Sequence, residues 1–151
     1  MNLNLDVVLE KKDYQKIKKK VIKKHQKGPL KLKIFILGKI VKKKPLTALK
    51  CVQIKKDMGW CDDIRSPNRY NKLFKIVKKI KHEKLTRNDH KYDFLIPIKY
   101  NFKKPIPGKG SCIFIHLTKD YKPTAGCIAL KEKDFLIMLK VIKKKSKIKI
   151  I

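Results

Sequence analysis

Ser111-Cys112-Ile113-Phe114-Ile115-His116-Leu117 is the stretch from which the fold is read. Cys112, Ile113, Phe114 and Ile115 form an apolar run flanked by turn residues, with Pro105-Ile106-Pro107-Gly108-Lys109-Gly110 turning the chain just before it, and this pattern predicts a buried strand over Ser111 to Leu117. His116 falls near the strand's end. The two-residue period of a strand puts it on the same face as Cys112 and Phe114, where a side chain can reach a cleft.

Outward from this strand the texture stays sheet-like. Leu30 to Leu37 and Thr47 to Ile54 read as strands, and Gly59 to Tyr70 reads as a long polar loop. Asp93 to Tyr100 is a further strand, and Pro97 within it predicts an edge or a bulge. Helical spacing returns at Phe135, Leu136, Met138, Leu139 and Ile142, which places one amphipathic helix after Leu130. Ser146 to Ile151 is read as a last strand. In the Lys-dense first 27 residues, Val7, Val8, Tyr14, Ile17, Val21 and Ile22 have loosely helical spacing. The expectation is a mainly β fold in one domain, since 151 residues and 17.8 kDa suit a single core.

Charge is the oddest feature of the composition. The chain has 42 Lys and Arg against 12 Asp and Glu, a formal net charge of +30, and a pI near 10.1. Such a field attracts polyanions, nucleic acid among them, by nonspecific electrostatics. The basic residues are mostly Lys, spread in runs such as Lys18-Lys19-Lys20, Lys42-Lys43-Lys44 and Lys143-Lys144-Lys145, with no RNA-recognition or zinc-finger pattern. Charge runs of this kind are more often solvated faces than recognition sites. A hydrophobic content of 42% argues against disorder.

Cys51, Cys61, Cys112 and Cys127 contain no Cys-x-x-Cys pair, so the usual zinc and thioredoxin spacings are absent. Met1 to Lys12 shows no secretory signal pattern, and no window approaches the apolar length of a membrane-spanning helix.

Two segments stand out from the lysine background. One is Ile113 to His116 followed by Pro123-Thr124-Ala125-Gly126-Cys127-Ile128-Ala129-Leu130; the other is Gly59-Trp60-Cys61-Asp62-Asp63, with Ser66 and Tyr70-Asn71 behind it. Gly126 lets the backbone turn tightly and bring amide groups near a ligand. Cys127 is then a candidate nucleophile, with His116 as the base that takes its proton. Spacing alone favours a plainer reading, in which Cys127 is a small buried hydrophobe and His116 is simply hydrogen-bonded.

The run from Gly59 to Leu130, about half the chain, resembles the catalytic domain of the L,D-transpeptidases, the YkuD-type family, in its small stand-alone branch. The resemblance rests on ordered matches: Gly59 to Asp63, Ser66, Tyr70-Asn71, His82-Glu83, Tyr92-Asp93, Tyr100-Asn101, Pro107 to Ser111, Ile113 to His116 and Pro123 to Cys127. It implies an L,D-transpeptidase-like β-sandwich or open barrel over 28–151, with a helix after the nucleophile strand, behind a Lys-rich segment 1–27 that is altered or incomplete relative to the family.

The resemblance further implies that Cys127 attacks a stem-peptide carbonyl of peptidoglycan while His116 takes the thiol proton. Backbone amides of Gly126 and Cys127 would hold the oxyanion. The acyl group would pass to an amine of a second stem peptide as a cross-link, or to water in an L,D-carboxypeptidase. No metal or organic cofactor is required, and a periplasmic or envelope location is implied.

Trp60, Asp62, Asp63, Arg65 and Thr124 are candidate substrate-binding residues, although loop-capping roles suit the two aspartates better. Asn71 and Tyr92 are expected to be scaffold hydrogen-bonders. The wider family has Ser-His-Gly-Cys followed by an Arg two residues on; here Ala125 and Ala129 stand in place of that His and that Arg. Substrate-carboxylate recognition is therefore unassigned, with Arg65 and Lys131 as candidates. The rival from another class is a catalytically inert domain whose positive field binds polyanions.

Overall fold

Alternation of side chains decides the layers. In a computed structural model describing residues 45–122, 124–143 and 146–149, with the backbone of 7–8, 30–31 and 34–37, the strand β8 (Phe94–Pro97) lies antiparallel to β9 (Phe114–Leu117). Phe94, Ile96, Ile115 and Leu117 point to one face and join a buried cluster. Leu95 and Phe114 point to the other face and join a second cluster.

β8 and β9 lie inside a five-stranded sheet of order β10-β9-β8-β3-β4, where β3 is Ile34–Leu37, β4 is Lys50–Gln53 and β10 is Ile128–Leu130. The helix α1 (Glu132–Val141) covers the first face, burying Phe135, Met138 and Leu139 at the i, i+3 and i+4 positions of one stripe. Phe135 stacks on Phe94 with ring centroids 5.7 Å apart. Glu132 and Asp134 in the first turn and Lys140 in the last complement the helix dipole, and no side chain caps the N-terminus.

The second face is covered by a three-stranded sheet of order β6-β5-β7, with β5 at Met58–Cys61, β6 at Leu73–Lys75 and β7 at His82–Lys84. Trp60 of β5 meets Phe114 edge-on at 5.2 Å. Gly59 is required here, because a Cβ at that position would sit 2.8 Å from the His82 ring. A further three-stranded sheet joins β1 (Val7–Val8), β11 (Lys147–Lys149) and β2 (Leu30–Lys31). The described residues thus form a mainly β fold with one α-helix. None of its helices is long and apolar enough to cross a membrane.

Several expectations from sequence are corrected. The polar loop expected over Gly59 to Tyr70 begins only at Asp62, because Gly59, Trp60 and Cys61 form the buried central strand β5. Pro97 marks neither an edge nor a bulge; β8 is interior, but Ile98 donates toward the β9 side, so the missing amide of Pro97 faces the β3 side, past the last β3 pair at Leu95. The strand expected from Ser111 starts at Phe114, since Cys112 adopts a left-handed φ of 55° that no continuous strand accommodates. Leu30 to Leu37 divides between two sheets, and Thr47 to Ile54 shortens to β4. Val7 and Val8 pair as a strand with β11 rather than as helix. Tyr14, Ile17, Val21, Ile22 and Pro123 lie outside the described residues.

Candidate active site

β10 runs parallel to β9, with Ala129 opposite His116 and Ile128 opposite Ile115. Ile128 and Leu130 therefore go into the core beneath α1, leaving Ala129 and Cys127 on the face that carries Phe114 and His116. This register brings a cysteine and a histidine eleven residues apart in sequence to one surface.

The segment between the strands is held by short-range hydrogen bonds. The Thr118 hydroxyl accepts from the amides of Asp120 (3.4 Å) and Tyr121 (3.2 Å), and the Thr124 hydroxyl donates to the Cys127 carbonyl at 2.5 Å. Gly126, between them, has φ of 136°, and a Cβ there would lie 3.2 Å from Ile113 Cδ1. Only glycine fits this turn without strain. The Gly126 amide is 3.5 Å from Thr124 Oγ1, too long for a strong bond.

The Cys127 thiol donates to the carbonyl of Cys112 at 3.3 Å. Burial pushes it up to about 11, with a partial offset from a hydrogen bond of the Phe114 amide and a further push from the Glu83 carboxylate. The Cys112 thiol, also at the site, is pushed up to about 12, chiefly by burial. His116 Nδ1 lies 2.8 Å from the Leu117 carbonyl. A carbonyl can only accept, so Nδ1 carries the proton of the neutral ring and Nε2 keeps a lone pair. Burial, with weaker contributions from the Lys91 and Arg87 charges, holds His116 below its ordinary 6.5 against the effect of the Leu117 hydrogen bond.

The resting pair is thus a neutral thiol and a neutral imidazole. Among the described residues the thiol's hydrogen bonds go to Cys112 and Phe114, not to His116.

Both side chains line one cavity of about 570 Å³, together with Cys112, Ile113 and Ala129. Glu83, Arg87 and Tyr92 also line it. The Tyr92 hydroxyl donates to Glu83 at 2.9 Å, and its ring meets His116 edge-on at 5.7 Å and Phe114 at 6.1 Å. Burial, before the Glu83 charge, holds the phenol protonated well above its ordinary range. Arg87 lies over the Tyr92 ring and makes a bidentate pair with Asp89.

Of the substrate-binding candidates, Thr124 lines this cavity; Trp60, Asp62, Asp63 and Arg65 do not. Trp60 is buried and donates to Asn71 Oδ1 at 2.9 Å. Asn71, at a left-handed φ of 56°, also donates to the carbonyls of Tyr100 and Asn101 and accepts from the Cys112 amide. Asp62 accepts from the Ser111 hydroxyl and pairs with Lys81. Asp63 is buried, and the Arg65 guanidinium, with the Lys81 amide, holds its carboxyl far below the usual carboxylate range. Arg65 is committed to that pair, and Lys131 lies over the Tyr121 ring, so neither carboxylate candidate reaches the cavity wall.

Glu83, Arg87, Lys91 and Lys119 line the cavity without having been singled out for substrate contact. One signal could have found Arg87: arginine is rare in this lysine-dominated chain, and two of its few arginines stand two residues from an aspartate, as Asp63-x-Arg65 and Arg87-x-Asp89. Comparison of the chain with protein-family models, with curated proteins and with solved structures gives no match in any of the three.

Proposed function

We propose that the chain is a cysteine acyltransferase of the L,D-transpeptidase type that acts on peptidoglycan stem peptides. The observation that carries this reading is that parallel pairing of β9 and β10 opens His116 and Cys127 onto the same cavity, with the imidazole in the tautomer a base needs. The ordered motif matches from Gly59 to Cys127 supply the substrate class.

A substrate carbonyl entering the cavity displaces the thiol from its bond with Cys112. The Cys127 proton passes to His116 Nε2 as sulfur adds to the carbonyl carbon. Amides of the Gly126-Cys127 turn take the negative charge on oxygen. The tetrahedral intermediate collapses to a thioester, and the leaving amine of the terminal D-alanine takes the proton from His116. An amine of a second stem peptide then attacks the thioester to give a cross-link; attack by water gives the trimmed peptide and an L,D-carboxypeptidase. No step calls for a metal or organic cofactor. Such an enzyme works in the periplasm or cell envelope.

Mass spectrometry after incubation with a stem tetrapeptide or a carbapenem tests the reading. The expected result is a covalent adduct on Cys127 that disappears in Cys127→Ala. A folded, reduced sample with no adduct would sink it.

The inert polyanion-binding module is favoured by a separate observation, the net charge of +30 combined with a thiol that is protonated at neutral pH. Nucleic-acid binding that falls steeply with salt, in a protein whose Cys127 never acylates, would establish that alternative.

A further inference from the structure

The proposed enzyme needs a group to recognise substrate carboxylate, and Ala129 stands where the family's arginine would be. The cavity wall supplies an alternative. Its charged residues are four cations, Arg87, Lys91, Lys119 and Lys122, and two carboxylates, Glu83 and Asp120. Most of these are already satisfied within the fold. Arg87 is bound to Asp89 and lies 3.7 Å from Glu83, and Lys122 pairs with Asp120 at 3.0 Å.

That leaves two lysines. Among the described residues neither Lys91 nor Lys119 has a carboxylate within ion-pair distance, and both are exposed. Their placement is set by the fold around His116. Lys91 is the middle residue of the 3-10 turn His90–Tyr92, which packs against β9, and its charge is felt at the imidazole. Lys119 follows two residues after the end of β9, beyond Thr118. Two cations with no ion-pair partner among the described residues, one of them near enough to Asp89 to lower its carboxyl, therefore share a cavity with the candidate nucleophile and its base.

We infer that Lys91 and Lys119 form an anion subsite that takes the free carboxylate of the residue leaving from the scissile bond. This rests on the reading of Cys127 as nucleophile. The two cations place the leaving residue on the His116 side of the cavity, where its departing amine can receive the imidazole proton.

The test separates this subsite from the general field of so basic a chain. Binding to the full Cys127→Ala chain is followed by NMR titration at physiological salt with three peptides: the free tetrapeptide, its C-terminal amide, and a tetrapeptide amidated only at the carboxylate of the diamino residue. The free acid should bind about 10-fold more tightly than the C-terminal amide, the strength of one charge-assisted hydrogen bond. That preference should vanish in a Lys91→Gln/Lys119→Gln variant and survive in Lys133→Gln/Lys140→Gln, whose exposed lysines lie on α1.

Equal binding of acid and C-terminal amide, or a preference untouched by the first double variant, overturns the subsite. So does binding of none of the three peptides. Weakening only by the other amidation overturns its assignment to the leaving residue. The adduct experiment on the unaltered chain, run in parallel, keeps the two readings apart: an adduct with no acid preference removes the subsite alone, whereas acid preference with no adduct removes the acyl transfer.

Discussion

The segment around Trp60 and the segment around Cys127 are equally conspicuous in sequence, and they have opposite fates. Trp60, Asp62, Asp63 and Asn71 bond within the protein: the indole to Asn71, Asp63 to Arg65 and to the Lys81 amide, Asp62 to Ser111. Around the second segment, Cys127 and His116 border a cavity together with Lys91, Lys119 and Lys122. An unusual polar residue marks a place where the fold needs something. Whether it serves a scaffold or a ligand depends on how many of its hydrogen bonds the protein itself has already satisfied.

The sharpest way to break this contrast is a pair of substitutions, one in each segment. Cys127→Ala should remove at least about 10³-fold of turnover, as loss of a nucleophile does, while costing under about 1.5 kcal/mol of stability by chemical denaturation. Asn71→Ala should do the reverse. It strips partners from Trp60, Tyr100, Asn101 and the Cys112 amide at once, and should cost about 3 kcal/mol. The fraction that still folds should keep its Cys127 reactivity. If both variants lost reactivity and neither lost stability, the division of labour would be wrong.

A smaller effect is expected from pH. With the Cys127 thiol pushed up to about 11, its alkylation by iodoacetamide should climb about tenfold per unit from pH 7 to 9 without a plateau. A plateau below pH 8 would instead indicate a thiolate–imidazolium pair. Stability follows the same groups. His116 is held below its ordinary 6.5, so folding loses stability as the pH falls below that value and the unfolded chain takes the proton. The thiols of Cys127 and Cys112 are raised, so their contribution is intact below their ordinary 9.0 and is lost as the pH rises toward about 11 and 12. Denaturant midpoints should therefore hold level between pH 6.5 and 9.0 as far as this site is concerned. The smallest effect is expected at Arg65→Ala, whose exposed side chain serves Asp63 and, at 3.4 Å, the Lys79 carbonyl: turnover unchanged, and Tm lowered less than by Asn71→Ala.

Much of this architecture was legible because local patterns matched it. The stripe of Phe135, Met138 and Leu139 gave the helix its position, and the apolar run before His116 located the strand that carries it. The misreadings came where a tertiary partner overrode a local cue. Gly59 reads as the start of a polar loop, yet it is required in β5 because a Cβ there would meet the His82 ring. Pro97 reads as an edge marker, yet it lies in an interior strand, at a point where pairing with β3 has already stopped.

By itself, the sequence determined the mainly β character, the helix after Leu130, the alternation that turns His116 away from the helix side, and the glycine turn before Cys127. These depend on side-chain period and backbone permissiveness, which neighbouring residues carry. Only the tertiary structure decided that the thiol rests protonated against Cys112, that Trp60 and Asp63 spend their hydrogen bonds within the protein, and that Lys91 and Lys119 line the cavity of His116 with no ion-pair partner among the described residues. Burial and hydrogen-bond pairing are set by residues distant in sequence, so no local pattern can express them.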